Sequence, residues 1–405
     1  MATALVLAAI ALALASSEAW SRVRLRRTEP QPAPRLAGFA ALAWTGLAAA
    51  IWTQPSELGF LLFVVALPLH LLALLARFAR HHRRRGRPAS WRRLCFGNAL
   101  LVALPLAMLL LGGELWFRFG RDTTDSIGYT KVARRWLERH YRFNTATFRD
   151  DLEYAPAIAA GKRRISFVGD SFTAGHGIAD VQHRFANRLR ALHPAWEVHV
   201  LAHNGADTRS ETALLELLGN NGYQLDEVVL VYCLNDVQDL LPNWSAVLDA
   251  AAKNAAQRPA LFDSSWLLDT IYYRVAIQTV PGIGDYFAFL GEAYRGEPWL
   301  EQQRRLQALR QTVERHGGRL TVVTWPFLQR LGDDYPQAAA HAALGEFWQR
   351  EGVPHLDLLP TLRDELPARL VVNAADAHPN EYASALAAAA IDRWLTPLLD
   401  ARPRR

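Results

Sequence analysis

The chain has 405 residues, 51% of them hydrophobic, with 45 basic and 39 acidic side chains. A chain this apolar is not disordered, and its length suits two domains or one domain beside a membrane region. Two cysteines, Cys95 and Cys233, are too few for a disulfide scaffold or a four-cysteine zinc site. The net charge of +6 invites a nucleic-acid partner, but its distribution excludes one. Residues 1–120 carry 14 arginines against four acids, whereas the remainder carries 31 basic against 35 acidic groups. All but three of the basic residues are arginine, a bias that, with the abundant alanine, fits a GC-rich bacterial genome.

Four segments, 2–17, 36–52, 58–76 and 94–113, approach the roughly 20 apolar residues that a bilayer crossing needs. The last two contain no Asp, Glu, Lys or Arg, and their Pro68 and Pro105 are tolerated in membrane helices. The first two are shorter and rich in alanine. Arg22, Arg24, Arg26 and Arg27 separate the first pair, and Arg77, Arg80, Arg83, Arg84, Arg85, Arg87, Arg92 and Arg93 separate the last. The short loop around 54–57 has no basic residue. Positive loops stay in the cytoplasm, so both arginine clusters are expected inside and everything from Glu114 outside. The run at 83–85 needs no role beyond setting that topology. Ala13-Leu14-Ala15 resembles a signal-peptide cleavage site, yet no positive segment precedes it. The expectation is an all-α transmembrane domain of about four helices over 1–117, placed multi-pass in a cell inner membrane with the remainder periplasmic.

A polar lead-in covers 118–160. Beyond it, β-rich runs at 164–168, 196–201, 227–232, 319–325 and 355–359 alternate with helical periodicity at 181–192, 210–218, 299–316, 335–351 and 380–399. Strands joined by helix-length connections predict a parallel sheet covered on both faces. In such sheets ligands bind beyond the carboxyl ends of the strands. Residues 240–298 form an aromatic-rich insertion within this domain, which spans 161–400.

Four of those strand ends and loops carry chemistry. Ile165-Ser166-Phe167-Val168-Gly169-Asp170-Ser171-Phe172-Thr173 ends a buried strand in Gly-Asp-Ser and opens a helix, which places a serine at the sheet edge. Asp376-Ala377-His378-Pro379-Asn380 precedes the last helix. There His378 can take a serine proton if Asp376, two positions upstream in a loop, fixes its tautomer. Leu201-Ala202-His203-Asn204-Gly205 supplies a glycine whose N–H can approach a substrate, and Val231-Tyr232-Cys233-Leu234-Asn235-Asp236 supplies a side-chain amide. Taken singly, each is an ordinary turn or helix cap.

Together, these blocks resemble the SGNH/GDSL hydrolase family, over about 162–399 and the lead-in Arg149-Asp150-Asp151-Leu152-Glu153-Tyr154. The resemblance implies a flavodoxin-like three-layer α/β/α fold and acyl-ester chemistry. It makes Ser171 the nucleophile, His378 the base and Asp376 its orienting partner. The oxyanion hole it implies is the Ser171 N–H, the Gly205 N–H and the Asn235 amide. Three positions depart from the family pattern. Phe172 stands where leucine is usual, Leu234 where glycine precedes Asn-Asp, and His203 where an asparagine commonly lies two residues before the glycine.

No cofactor or metal is implied. His199 and His203 sit four apart on a strand end, without a carboxylate at motif spacing. His176 and His183 are expected as surface or loop residues, and Cys233 as a small core hydrophobe. Trp266, Tyr272, Tyr273, Tyr286 and Phe287 are expected to pack the insertion. The expected partners are the lipid bilayer and an acylated small-molecule, lipid or glycan substrate. The reading is a membrane-tethered serine esterase. An acyltransferase with the same triad and a non-catalytic binding protein are the alternatives.

Overall fold

Runs of Val, Ile and Leu set the layout of the computed structural model, which describes residues 56–85, 91–241, 244, 246–247, 249–250, 253, 258–280 and 286–402. Two of the expected spans, 2–17 and 36–52, and the arginine cluster at 22–27 lie outside the described residues. The chain divides into two units: one holds the residues up to Asp122 with 130–132 and 253–276, the other holds 123–129, 133–252 and 277–405.

Among the described residues, the long helices of the first unit are α1 (Glu57–Arg85) and α2 (Trp91–Leu115). Their stretches Glu57–Arg80 and Leu94–Gly120, of 24 and 27 residues, are long and apolar enough to cross a membrane. Leu69, Leu72, Leu101, Val102 and Leu109 are exposed along these helices. The helices approach closely where Gly97 faces the Phe78 ring, which a Cβ would meet at 2.8 Å.

Glu114 organises this unit. Its buried carboxylate accepts hydrogen bonds from Arg118 at 2.8 Å, the Ser265 hydroxyl at 2.7 Å, and the backbone N–H groups of Trp266 and Leu267 at 3.2 and 3.1 Å. It therefore caps helix Trp266–Thr279 from outside, where an anion meets the helix's unsatisfied donors. Glu57 joins in, accepting from Lys131 at 2.6 Å and from the Trp266 indole at 3.0 Å. Residues 253–276, part of the stretch read as an insertion in the α/β domain, thus fold within the unit of α1 and α2.

The second unit is organised by a five-stranded sheet of β1 (Arg163–Gly169), β2 (Trp196–Ala202), β3 (Glu227–Cys233), β4 (Arg319–Trp325) and β5 (His355–Asp357). All pairs are parallel and the spatial order is β2-β1-β3-β4-β5. Every residue of β1 and β3 is buried, as parallel strands covered on both faces require. Right-handed crossovers then put α4 (Phe185–Leu192) and the last helix, α8 (Glu381–Asp400), in one layer. The other layer holds α5 (Thr208–Asn220), α6 (Gly296–Arg315) and α7 (Ala338–Arg350). This is the expected three-layer fold in the flavodoxin-like strand order, and its order reverses between β1 and β3. The short α3 (Ser171–Ala174) follows β1 directly.

Two local expectations are corrected. Asp376–Pro379 is not a loop but β7, paired antiparallel with β6 (Val371–Asn373) in a separate two-stranded sheet. The polar lead-in contains a helix, Lys131–His140, whose Val132, Ala133 and Trp136 are buried. Its charged residues had masked that buried face.

Glu114→Ala would remove the acceptor shared by Arg118, Ser265, Trp266 and Leu267. Breaking a buried ion pair on one side costs about 3–5 kcal/mol. The detergent-solubilised variant should unfold at lower temperature and be cleaved faster by protease within 258–280. Unchanged cleavage there would show that the cap is dispensable.

Candidate active site

The end of β1 is shaped by sterics. A Cβ on Gly169 would lie 2.8 Å from the carbonyl oxygen of Val231 on β3, so only glycine lets the chain turn there. Asp170 caps α3, its carboxylate accepting from the Phe172 N–H at 2.9 Å, and α3 closes on Gly175 at φ 76°. Ser171 is thereby presented at the carboxyl edge of the sheet and is only 8% exposed. The lead-in supports the turn that follows. The buried Arg149 guanidinium donates to the carbonyls of Ala174, Gly175 and Ile178. Burial pushes this guanidinium down to about 10.

β7 supplies the partners. Residues two apart share one face of a strand, so Asp376 and His378 point the same way. His378 Nε2 lies 2.8 Å from Ser171 Oγ, and His378 Nδ1 lies 2.6 Å from Asp376 Oδ1. With a carboxylate at Nδ1, the proton sits there and Nε2 is left to accept from the serine hydroxyl. Oδ2 of Asp376 takes the Thr124 hydroxyl and faces His176 Nε2 at 3.5 Å. Burial raises the carboxyl's proton affinity, but the hydrogen bonds and charges of His176 and His378 outweigh it. Asp376 is held well below the usual carboxylate range.

Asn235 stands in the turn after β3, across the switch point from Ser171. Its Nδ2 donates to Asp170 Oδ2 at 3.3 Å, and its Oδ1 is buried without a hydrogen-bond partner. Asp170 itself is raised by burial, against the bonds from Phe172 and Asn235. Leu234 makes no demand for glycine, because Thr147 alone among the described non-glycine residues has a positive φ. Gly205, at φ 76°, does need its residue type. Phe172 packs its ring on His378 at 5.4 Å and on Trp325 at 5.9 Å, so the departure from leucine is absorbed by packing.

Other candidates resolve differently. His199 is a core residue, bonded through Nδ1 to the Tyr223 hydroxyl at 2.6 Å, and burial pushes it down to about 4. His203 packs on Phe148. His183 is half-exposed and pairs with Glu381 at 2.8 Å. His176, expected as a surface or loop residue, lies in the turn after α3 but is not at the surface, being 3% exposed and 3.5 Å from Asp376. Sequence reasoning also missed Thr124, because a threonine more than 250 positions from its partner gives no local signal.

No protein-family model matches the chain, nor does any curated protein. Solved structures do. TesA is 16% identical over 58% of this chain and 99% of that one, with a TM-score of 0.35. A lipolytic protein of the G-D-S-L family from Veillonella parvula is 13% identical over 58% and 98%, also at 0.35. The psychrotrophic esterase EstA from Pseudoalteromonas sp. is 12% identical over 59% and 100%, again at 0.35.

The Asp376 geometry sets an acid-stability expectation. A carboxyl depressed in the fold contributes stability above its unfolded value of about 3.9, and that contribution is lost as pH falls toward the folded value. Asp376→Asn should therefore flatten the loss of stability below about pH 4. Denaturant midpoints measured from pH 6 to pH 2 check this; parallel slopes in both proteins would contradict it.

Proposed function

We propose that this protein is a membrane-tethered serine ester hydrolase of the SGNH/GDSL type. The observation that carries the reading is the contact chain Ser171 Oγ–His378 Nε2–His378 Nδ1–Asp376 Oδ1, at 2.8 and 2.6 Å, on the carboxyl edge of the sheet. Ser171 attacks the ester carbonyl carbon while His378 takes the hydroxyl proton. The tetrahedral oxyanion is met by the Ser171 and Gly205 N–H groups and the Asn235 amide. Collapse breaks the bond to the alcohol, which leaves with the proton from His378. Water then attacks the acyl-serine by the same proton route and releases the acid.

The two apolar helices and the arginines between them support the tether. Keeping that loop in the cytoplasm puts Glu114 and the residues beyond it on the far side, periplasmic in an inner membrane. Acyl esters of envelope glycans or lipids, O-acetyl groups among them, are the substrates such a placement serves.

A fluorophosphonate should label the native protein, and Ser171→Ala should abolish the labelling. Release of free acid from acetylated glycans or short esters without an added acceptor is expected. Turnover only in the presence of a sugar acceptor would make the protein an acyltransferase instead. Failure to label would leave a binding protein.

Asn235→Ala should keep the fold and leave Ser171 open to the substrate, while turnover drops on the order of 100- to 1,000-fold, about 3–4 kcal/mol. Near-normal turnover would remove Asn235 from the oxyanion hole.

A further inference from the structure

His176 follows the short helix that carries Ser171, flanked by Gly175 and Gly177. Its Nδ1 lies 3.1 Å from Asn204 Nδ2, an atom that can only donate. That amide is oriented because its Oδ1 takes the Tyr141 hydroxyl at 2.6 Å. Nδ1 is therefore an acceptor, and the ring proton sits on Nε2. From Nε2 the acceptors are the Asp125 carbonyl at 3.0 Å and Asp376 Oδ2 at 3.5 Å. The ring lies 4.4 Å from that of His378, so both imidazoles flank the same carboxylate.

We propose that His176 is a positioning residue for the triad. Its Nε2–H bonds the Asp125 carbonyl at 3.0 Å and from there lies 3.5 Å from Oδ2 of Asp376, a positive edge beside that oxygen while Oδ1 is turned to His378. Through Nδ1 it holds Asn204, the neighbour of Gly205. One side chain thus ties the group that orients the base to the loop that would receive the oxyanion. The inference rests on the triad reading of Ser171, His378 and Asp376. Ligand atoms of His176, Asp376 and His378 also lie within 4.8 Å of one another, a spacing that would suit a cation. A metal on Nε2 would displace the ring's proton while Asn204 still donates to Nδ1, leaving a ring with no proton at all. The observed donors favour the hydrogen-bonded role.

The test uses the full-length protein in detergent, with p-nitrophenyl acetate for kinetics and a fluorophosphonate for labelling. His176→Phe keeps the ring shape but no nitrogen. Its kcat and its labelling rate should fall about 10- to 100-fold, the effect of losing a hydrogen bond to a charged group. KM should stay within about threefold, because nothing that touches substrate is removed. His176→Gln, which returns an N–H near the Nε2 position, should recover most of the loss. A solely structural role predicts no such rescue. Thr124→Val removes the hydroxyl donor to Oδ2, and its effect should combine non-additively with His176→Phe.

Native-like turnover and labelling in His176→Phe would overturn the proposal. So would a folded His176→Gln as impaired as the phenylalanine variant, or a loss confined to KM. Should His176→Phe fail to fold, Asn204→Leu decides at an exposed position, since it removes the group that fixes the tautomer. A drop of about tenfold in kcat then supports the role, and no drop overturns it. If the native protein itself does not label, the triad reading fails before this one is reached.

Discussion

A carboxylate removed from water must recover its lost hydrogen bonds from protein donors, and at Asp376 that requirement draws distant parts of the chain together. The acceptor takes hydrogen bonds from His378 on its own strand and Thr124 in the lead-in, with His176 of the turn behind the serine 3.5 Å away. The lead-in is fastened to the hairpin as a result. Asn373 Nδ2 donates to the Thr123 hydroxyl at 2.8 Å and to the Thr124 carbonyl at 2.9 Å, and the Ser126 N–H donates to the Ala375 carbonyl at 3.1 Å. Residues 123–129 consequently belong with the α/β unit, although the residues on either side of them do not.

The sheet fixes where this cluster can act. Reversal of the strand order puts the ends of β1 and β3 side by side with no helix between them, so Ser171 and Asn235 face a common space. Gly169 makes that possible at close range, with the β3 carbonyl too near for any side chain. His378 arrives from the far end of the sequence, on a hairpin outside the main sheet. A local motif therefore places Ser171, and a tertiary contact brings the imidazole to it.

That division also explains what could be read in advance. β3 was legible as a continuous apolar run, and β1 and β4 from their β-branched and aromatic residues. Ser171, Asn235, Asp376 and His378 were legible as short blocks, each beside a strand or helix signal. The strand nature of Asp376–Pro379 was not, since Asp, His and Pro carry no β signal of their own. Neither was the role of Glu114: apart from Arg118 four positions on, its partners lie about 150 positions away, and two of those three are backbone N–H groups common to every sequence. The burial of His176 was not legible for the same reason: its turn could be expected, but its partners Asn204 and Asp125 are distant in the chain.

Burial alone does not decide how the acids near the serine titrate; the donors do. Asp376 and Glu211 are both buried, at 1% exposure each. Asp376, supplied with donors by His176 and His378, is driven below the ordinary carboxylate range. Neither carboxyl oxygen of Glu211 finds a donor, and burial first, then the charges of Asp170 and Asp207, push it well above that range. Asp236 follows it upward, through burial and then the charge of Glu211. Opposite shifts at closely similar burial separate a carboxyl supplied with donors and facing an imidazole from carboxyls left without them. The donors around Asp376 favour its anionic form beside the His378 ring, whereas burial and neighbouring like charge disfavour the anionic form of Glu211 and Asp236.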